Sequence, residues 1–433
     1  MRLGQHEPRN ANPLLRDRRR ILWCRGLRAF GDGYVSILLP VYLVELGHDA
    51  FAIGAVSTAT LLGSALLTLA LGQVAHRVPR RGALLAASVL MAATGLGFTL
   101  VQGFWPLLVI AFVGTLNPSS GDVSVFLPLE HTILAHVAPG TDRTAVFARY
   151  SFVGSIVGAA GTLAAGTVDW LGPALGRLHV TQAMFALYGG LGLASFLLYR
   201  RLSPLVEADG EQAPSALGPS RRRVYVLAAL FSLDSFGGGL VLNSLLSFWL
   251  FERFGLDVAT TGAIFFATGL CSAVSFLAAV PLARRFGLVN TMVWTHLPSN
   301  VFLILVAFAP NLWSAFALLV LRSLLSQMDV PTRSSYVMAV VESEERPAAA
   351  SVTAVPRSLA AAAAPVLSGW MIGVSGFGWP LVAAGALKAA YDLMLLWSFS
   401  RVRPPEERWT RSAVLAMRAK EGRSLVDMDR DCG

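Results

Sequence analysis

Ionisable side chains interrupt stretches of this sequence that are otherwise apolar. "WCRGLRAFGDGYVSILLPVYL" carries Arg25, Arg28 and Asp32 at helical spacings of three, four and seven, so the three share one face. "VYVLAALFSLDSFGGGLVLNSLLSFWL" carries Asp234, with no basic residue three or four positions away, and then Asn243. "GTLNPSSGDVSVFLPLEHTILAH" carries Asp122 and Glu130. In a lipid bilayer each such charge costs about 2.5–3.5 kcal/mol or more at mid-depth, so it needs a partner or a task. Desolvation disfavours a carboxylate anion, which suits an unpaired acid such as Asp234 to carrying a proton. Arginine offers a planar fork to a carboxylate or phosphate.

Structural readings compete with each of these. Arg28 and Asp32 can neutralise each other, and Asp234 can bond across to Arg28. Lys388 and Asp392, four apart, read as a local ion pair, and His296 as a packing histidine. The seven histidines have no metal-ligand spacing. Cys24, Cys271 and Cys432 are isolated, so neither a disulfide framework nor a metal site is expected. With no phosphate loop, nucleotide motif or nucleophile elbow, an enzyme is not expected.

The elements that must position these residues follow from composition. The chain has 433 residues, 55% hydrophobic and 14% charged, with a mean hydropathy of +0.59. That charged fraction is well below the roughly 25% of soluble domains. Repeated apolar runs of about 20 residues predict membrane-spanning helices. Twelve are expected, near 21–46, 51–75, 82–102, 104–137, 147–168, 182–199, 224–250, 259–283, 288–308, 312–341, 351–374 and 379–400. The fourth and tenth exceed one span and should protrude or break.

The net charge of +9 and pI near 10.0 come largely from arginines in alternate loops. They read as topology signals rather than a nucleic-acid surface, and put both termini in the cytoplasm. Scarce lysine with abundant alanine and arginine points to a GC-rich bacterial genome. The basic start lacks a small-residue cleavage site, so a cleaved signal peptide is not expected. The expected organisation is a basic tail at 1–20, a six-helix bundle at 21–200, a cytoplasmic linker at 201–223, a second bundle at 224–400 and a tail at 401–433.

The two bundles repeat. "GHDAFAIGAVSTATLLGSALLTLALGQVAHR" from Gly47 aligns without gaps on "GLDVATTGAIFFATGLCSAVSFLAAVPLARR" from Gly255. "LPLEHTILAHVAPGTDRTA" aligns on "VPTRSSYVMAVVESEERPA", with Pro128 on Pro331 and Glu130 on Arg333. Trp105 lies 23 positions before Pro128, whereas Trp313 lies 18 before Pro331. The fourth helix therefore holds about five extra residues, and Asn117, Pro118 and Gly121 favour a break there. "NPSSGD" is either an unwound element touching solute, with Asp122 as an optional ion ligand, or a proline kink.

Twelve helices in two repeated halves resemble the major facilitator superfamily. The loop "GQVAHRVPRRG" is similar to that family's signature after the second helix. Gly72, Arg77, Arg80 and Arg81 match, while His76 replaces the usual Asp and Pro79 a Gly. "GSIVGAAGTLAAG" lacks the proline of the drug/proton antiporter pattern. The resemblance implies an all-α membrane protein of twelve transmembrane helices in two pseudo-symmetric bundles, a monomer in a bacterial inner membrane. It implies secondary transport by alternating access. Proton-coupled export of a small organic or drug-like solute is the first expectation. Transport of a small anion through Arg28 and Arg333 is the alternative, and a non-transporting receptor or scaffold a remote one. A solute, protons and the bilayer are the expected partners, with no cofactor.

Within that frame Arg28, Asp32, Tyr34, Asp122, Asp234 and Asn243 form the candidate solute and proton site, with Gly31 and Gly33 suiting a cavity wall. Glu130 and Arg333 lie toward the cytoplasmic ends of the fourth and tenth helices. An inter-half bridge between them is expected when that side closes, with Arg149 and Arg357 as alternative partners.

Overall fold

The computed structural model describes residues 13–74, 78–119, 124–137, 142–207, 217–342 and 345–399. Among them lie sixteen α-helices and no strand. The first half contains α1 (Pro13–Glu45), α2 (Ala50–Val74), α3 (Arg80–Leu100), α4 (Phe104–Val113), α5 (Phe126–Val137), α6 (Asp142–Ala164), α7 (Thr167–Leu175) and α8 (Arg177–Tyr199). The second contains α9 (Arg221–Leu240), α10 (Asn243–Phe254), α11 (Val258–Phe286), α12 (Leu288–Ala307), α13 (Leu312–Ser326), α14 (Asp329–Val340), α15 (Arg346–Val374) and α16 (Trp379–Phe399).

Twelve expected helices become sixteen because four are broken, two of them, the fourth and the tenth, at symmetry-related positions. The fourth divides into α4 and α5, and the tenth into α13 and α14. The fifth divides at Ala165–Gly166 and the seventh at Val241–Leu242. Ten helical stretches are long and apolar enough to cross a membrane, and the divided fourth and tenth supply the remaining two crossings. Local chemistry sets several ends. Asp257 accepts from Thr260 N at the start of α11, and Asn311 and Ser314 form a reciprocal cap on α13. Gly255 closes α10 at φ +62, a left-handed conformation that favours glycine.

Apolar faces point two ways. Tyr34, Tyr42, Phe98 and Phe185 are buried inside the first half. Trp105, Trp170, Trp313 and Trp397 stand exposed, as a lipid-facing surface requires. The halves meet where α2 packs on α15 and α6 on α11. A Cβ on Gly54 would lie 2.4 Å from Pro365 O, so only glycine permits this approach. Thr162 Oγ1 donates to Gly262 O at 3.0 Å, Thr58 Oγ1 accepts from Val366 N at 3.0 Å, and Asp169 Oδ2 accepts from Ala259 N at 2.7 Å. All these contacts lie away from the arginine-rich loops. At the basic end, Gly72 to Val74 of α2 and Arg284 and Arg285 of α11 are exposed. This conformation is closed at the face opposite the basic loops.

Candidate functional site

Each half encloses one buried ion-pair cluster. In the first, Arg28 of α1 meets Glu130 of α5 through two parallel bonds, Nη1 to Oε1 at 2.9 Å and Nη2 to Oε2 at 2.7 Å. Tyr199 of α8 donates to Oε1 and Tyr150 of α6 to Oε2, each at 2.5 Å. Arg28 also lies over the Phe126 ring at 4.2 Å. Glu130 is fully buried and Arg28 is 2% exposed. A bidentate guanidinium with two hydroxyls fills the carboxylate's acceptor sites, which is the condition for burying such a pair.

The second cluster occupies the equivalent helices with the signs exchanged. Asp234 of α9 accepts from Arg333 Nη2 of α14 at 2.7 Å and from Lys388 Nζ of α16 at 2.6 Å. Arg333 also bonds Asp329 one turn before it. His296 of α12 lies 3.9 Å from Asp234 through Nε2 and 3.0 Å from Asp392 through Nδ1. Asn300 donates to Asp392 at 2.8 Å.

Several sequence expectations are corrected by these contacts. Arg28 pairs with Glu130 rather than Asp32. Lys388 and Asp392 do not pair with each other: one reaches Asp234, the other His296 and Asn300. Asp234 is not an unpaired acid, since two cations touch it. In this conformation, open at the basic face, Glu130 and Arg333 are each bonded within their own half. Pairing them would strand Arg28 and Asp234, and an uncompensated buried charge costs several kcal/mol. Arg149 is exposed and not Glu130's partner. Tyr34 is buried in the first half, donating to Met184 O at 3.1 Å, rather than facing a cavity. Gly31 packs against Tyr188.

Between the halves lies a cavity with two lobes, of about 290 Å³ and 380 Å³, that share Ser119, Asn243, Phe265, Ser272, Gln327 and Val330. The larger lobe is lined by Asp32, Gly33, Arg25 and Arg357, the smaller by Asp234, Arg322, Arg333 and Lys388. Asp32 and Asn243 thus face the cavity as expected, while Arg28 lies behind its wall. Residues 114–119, unwound after α4, reach this space through Asn117 and Ser119. Asn117 Nδ2 donates to Asp32 Oδ2 at 3.3 Å, and Pro118 O accepts from Ser244 N of the other half at 3.2 Å. Tyr188 Oη donates to Thr115 O at 2.9 Å and lies 3.5 Å from Asp32 Oδ1. Asp122 lies outside the described residues.

Arg322 was not anticipated. It lies ten residues from the start of α13, about 15 Å along the helix and so near mid-bilayer. Its Nε is buried without an acceptor, and among the described residues its guanidinium has no hydrogen-bond or ion-pair partner. A lone arginine in "LWSAFALLVLRSLLS" was the available signal.

In the signature loop, His76 and Arg77 lie outside the described residues. The Arg80 and Arg81 backbone N–H groups donate to the Glu207 carboxylate at 2.7 and 3.0 Å, an acidic cap on α3, and Arg81 Nη2 donates to Arg200 O at 2.6 Å. Gly72 is exposed with open space around it.

Comparison with known proteins agrees with this architecture. The sequence profile of the Major Facilitator Superfamily matches residues 21–249 and 224–425. The uncharacterized membrane protein YJR124C of Saccharomyces cerevisiae is 26% identical over 418 residues, 88% of this chain and 93% of its own. A bacterial homologue of the human lysosomal transporter Spinster, in an inward-facing and unoccupied conformation, superposes with a TM-score of 0.69 at 14% identity. It covers 91% of this chain and 99% of that one. The nucleoside transporter NupG superposes at 0.70 with 16% identity, over 90% of this chain and 99% of its own. With profile matches across nearly the whole chain and two six-helix bundles around one cavity, this protein belongs to the Major Facilitator Superfamily.

Proposed function

We propose that the protein carries a small organic solute through the central cavity by alternating access, coupled to proton movement at Asp32, in the direction of export. The observation that carries this reading is the chain of contacts from Asp32 to the opposite half. Asp32 holds Asn117, and the adjoining Pro118 carbonyl accepts from Ser244 across the interface. A protonated Asp32 accepts more weakly than the ionised form. Proton occupancy would therefore act on the unwound segment that joins the halves. Arg25 and Arg357 line the same lobe and set its electrostatic surroundings. Asp234 gives up the proton role expected of it, because Arg333 and Lys388 hold it.

The basic face is proposed to be cytoplasmic, by the positive-inside argument, in a bacterial inner membrane, with a single chain as the working unit. Export is the direction proposed, as the commonest expectation for a bacterial member of the family. Flux of a broad solute panel into proteoliposomes under an imposed pH gradient tests the proposal. Asp32→Asn should abolish gradient-driven accumulation while exchange of solute across the membrane continues. An Asp32→Asn variant that accumulates solute with the wild-type pH profile would rule out Asp32 as the coupling acid.

A further inference from the structure

We infer that the solute carries an anionic group, a carboxylate or phosphate, and that Arg322 is the residue that recognises it. This rests on the transporter reading and names the substrate class of the same cavity. Four cationic side chains are central to the argument, and three are already engaged. Arg28 is bound by both Glu130 oxygens. Arg333 is held between Asp234 and Asp329, and Lys388 is bonded to Asp234. The expectation that Arg28 and Arg333 bind an anion therefore fails, since each already holds one. Arg322 lines the same lobe as Asp234 and Asp329, yet neither carboxylate bonds it. Its Nε is buried with no acceptor, and no described residue pairs with its guanidinium.

Among the described residues of that lobe three cations, Arg322, Arg333 and Lys388, face two carboxylates, Asp234 and Asp329. The surplus positive charge belongs to the side chain without a partner. Ser272, Ser323 and Thr268 line the same lobe and offer hydroxyl donors beside a guanidinium fork. Arg322 also stands one turn before the break between α13 and α14, so an anion bound there touches a helix already interrupted. The Arg322 lobe, at about 290 Å³, is at the small end of the range for ligand pockets, which suits a compact anion.

The test is binding to the purified full-length protein at one fixed pH, followed by thermal unfolding and titration. The probes are inorganic phosphate, citrate, benzoate and the neutral isostere benzamide. At least one anion should raise the unfolding temperature while benzamide does not. Arg322→Gln should weaken that anion's affinity about tenfold or more, as loss of a charged hydrogen bond predicts. Arg322→Lys should retain part of it. If Arg322→Gln fails to fold, the benzoate and benzamide comparison on wild-type protein still decides. No binding by any anion, equal binding of benzoate and benzamide, or unchanged anion affinity in Arg322→Gln would each overturn the inference. Anion binding lost in Arg322→Gln without flux in liposomes would uphold the site and sink the transporter reading instead.

Discussion

Glu130 holds Arg28 in a pocket with no access to water, so its charge has a structural task. Removing one partner of a buried pair costs about 3–5 kcal/mol, because the other charge is left uncompensated. Glu130→Gln should therefore lower the unfolding temperature of the detergent-solubilised protein by an amount consistent with that loss. Replacing both partners by apolar residues, Arg28→Met with Glu130→Leu, should recover most of it. Unchanged stability in Glu130→Gln would return Glu130 to a functional role. The sequence exposed Arg28, Asp32, Asp234 and Glu130 as residues that need explaining, but not their partners. Spacing within a helix makes Asp32 the visible neighbour of Arg28. The partner chosen by the fold lies 102 positions away, and only the packing of α5 on α1 brings it there. Lys388 and Asp392 mislead for the same reason: four residues apart on α16, each finds a better ligand on another helix. Arg322 stayed hidden because a lone charge offers no pattern until the emptiness around it is known.

Breaks in helices were legible where the repeat exposed them. Five surplus residues and "NPSSG" predict the interruption between α4 and α5, and the structure leaves Gly114 to Ser119 unwound. The break between α9 and α10 follows Gly237, Gly238 and Gly239, a run that weakens a helix without fixing where it ends. Interfaces between elements were less legible, because small residues pack equally well within a half or across one. Gly54 crosses: its α-carbon faces the Pro365 carbonyl and Gly369. Gly54→Val would overpack that contact by about 1–3 kcal/mol, enough to shift the closed-to-open ratio at this face roughly 5–150-fold. Ala50→Cys, placed on the same contact in a background without the native cysteines, reports it. Adding Gly54→Val should speed its reaction with an impermeant maleimide applied from the face opposite the basic loops. An unchanged labelling rate would mean that α2 and α15 separate there without involving Gly54.

At the scale of the whole molecule, the two clusters tie together helices of one half each, with opposite polarity. Arg28 and Glu130 join α1 to α5, while Asp234, Arg333 and Lys388 join α9, α14 and α16. Neither cluster spans the interface, so neither must break when the halves rock. Each half can then move as one body, and the contacts that change are the small-residue packing of α2 on α15 and α6 on α11, together with the Pro118–Ser244 bond. Rocking about the cavity must bring together the basic ends of α2 and α15, where Val74 and Arg346 are exposed. Spin labels at Val74→Cys and Arg346→Cys, in a background without the native cysteines, should give two distance populations. The longer is expected to match the present conformation, closed at the other face. If Asp32 governs the bond network at Asn117, changing pH should redistribute the two populations without creating a third distance. Asp32→Asn should fix their ratio across pH. A single distance at every pH, in wild type and variant alike, would show that the halves do not rock and that the cavity serves only to bind.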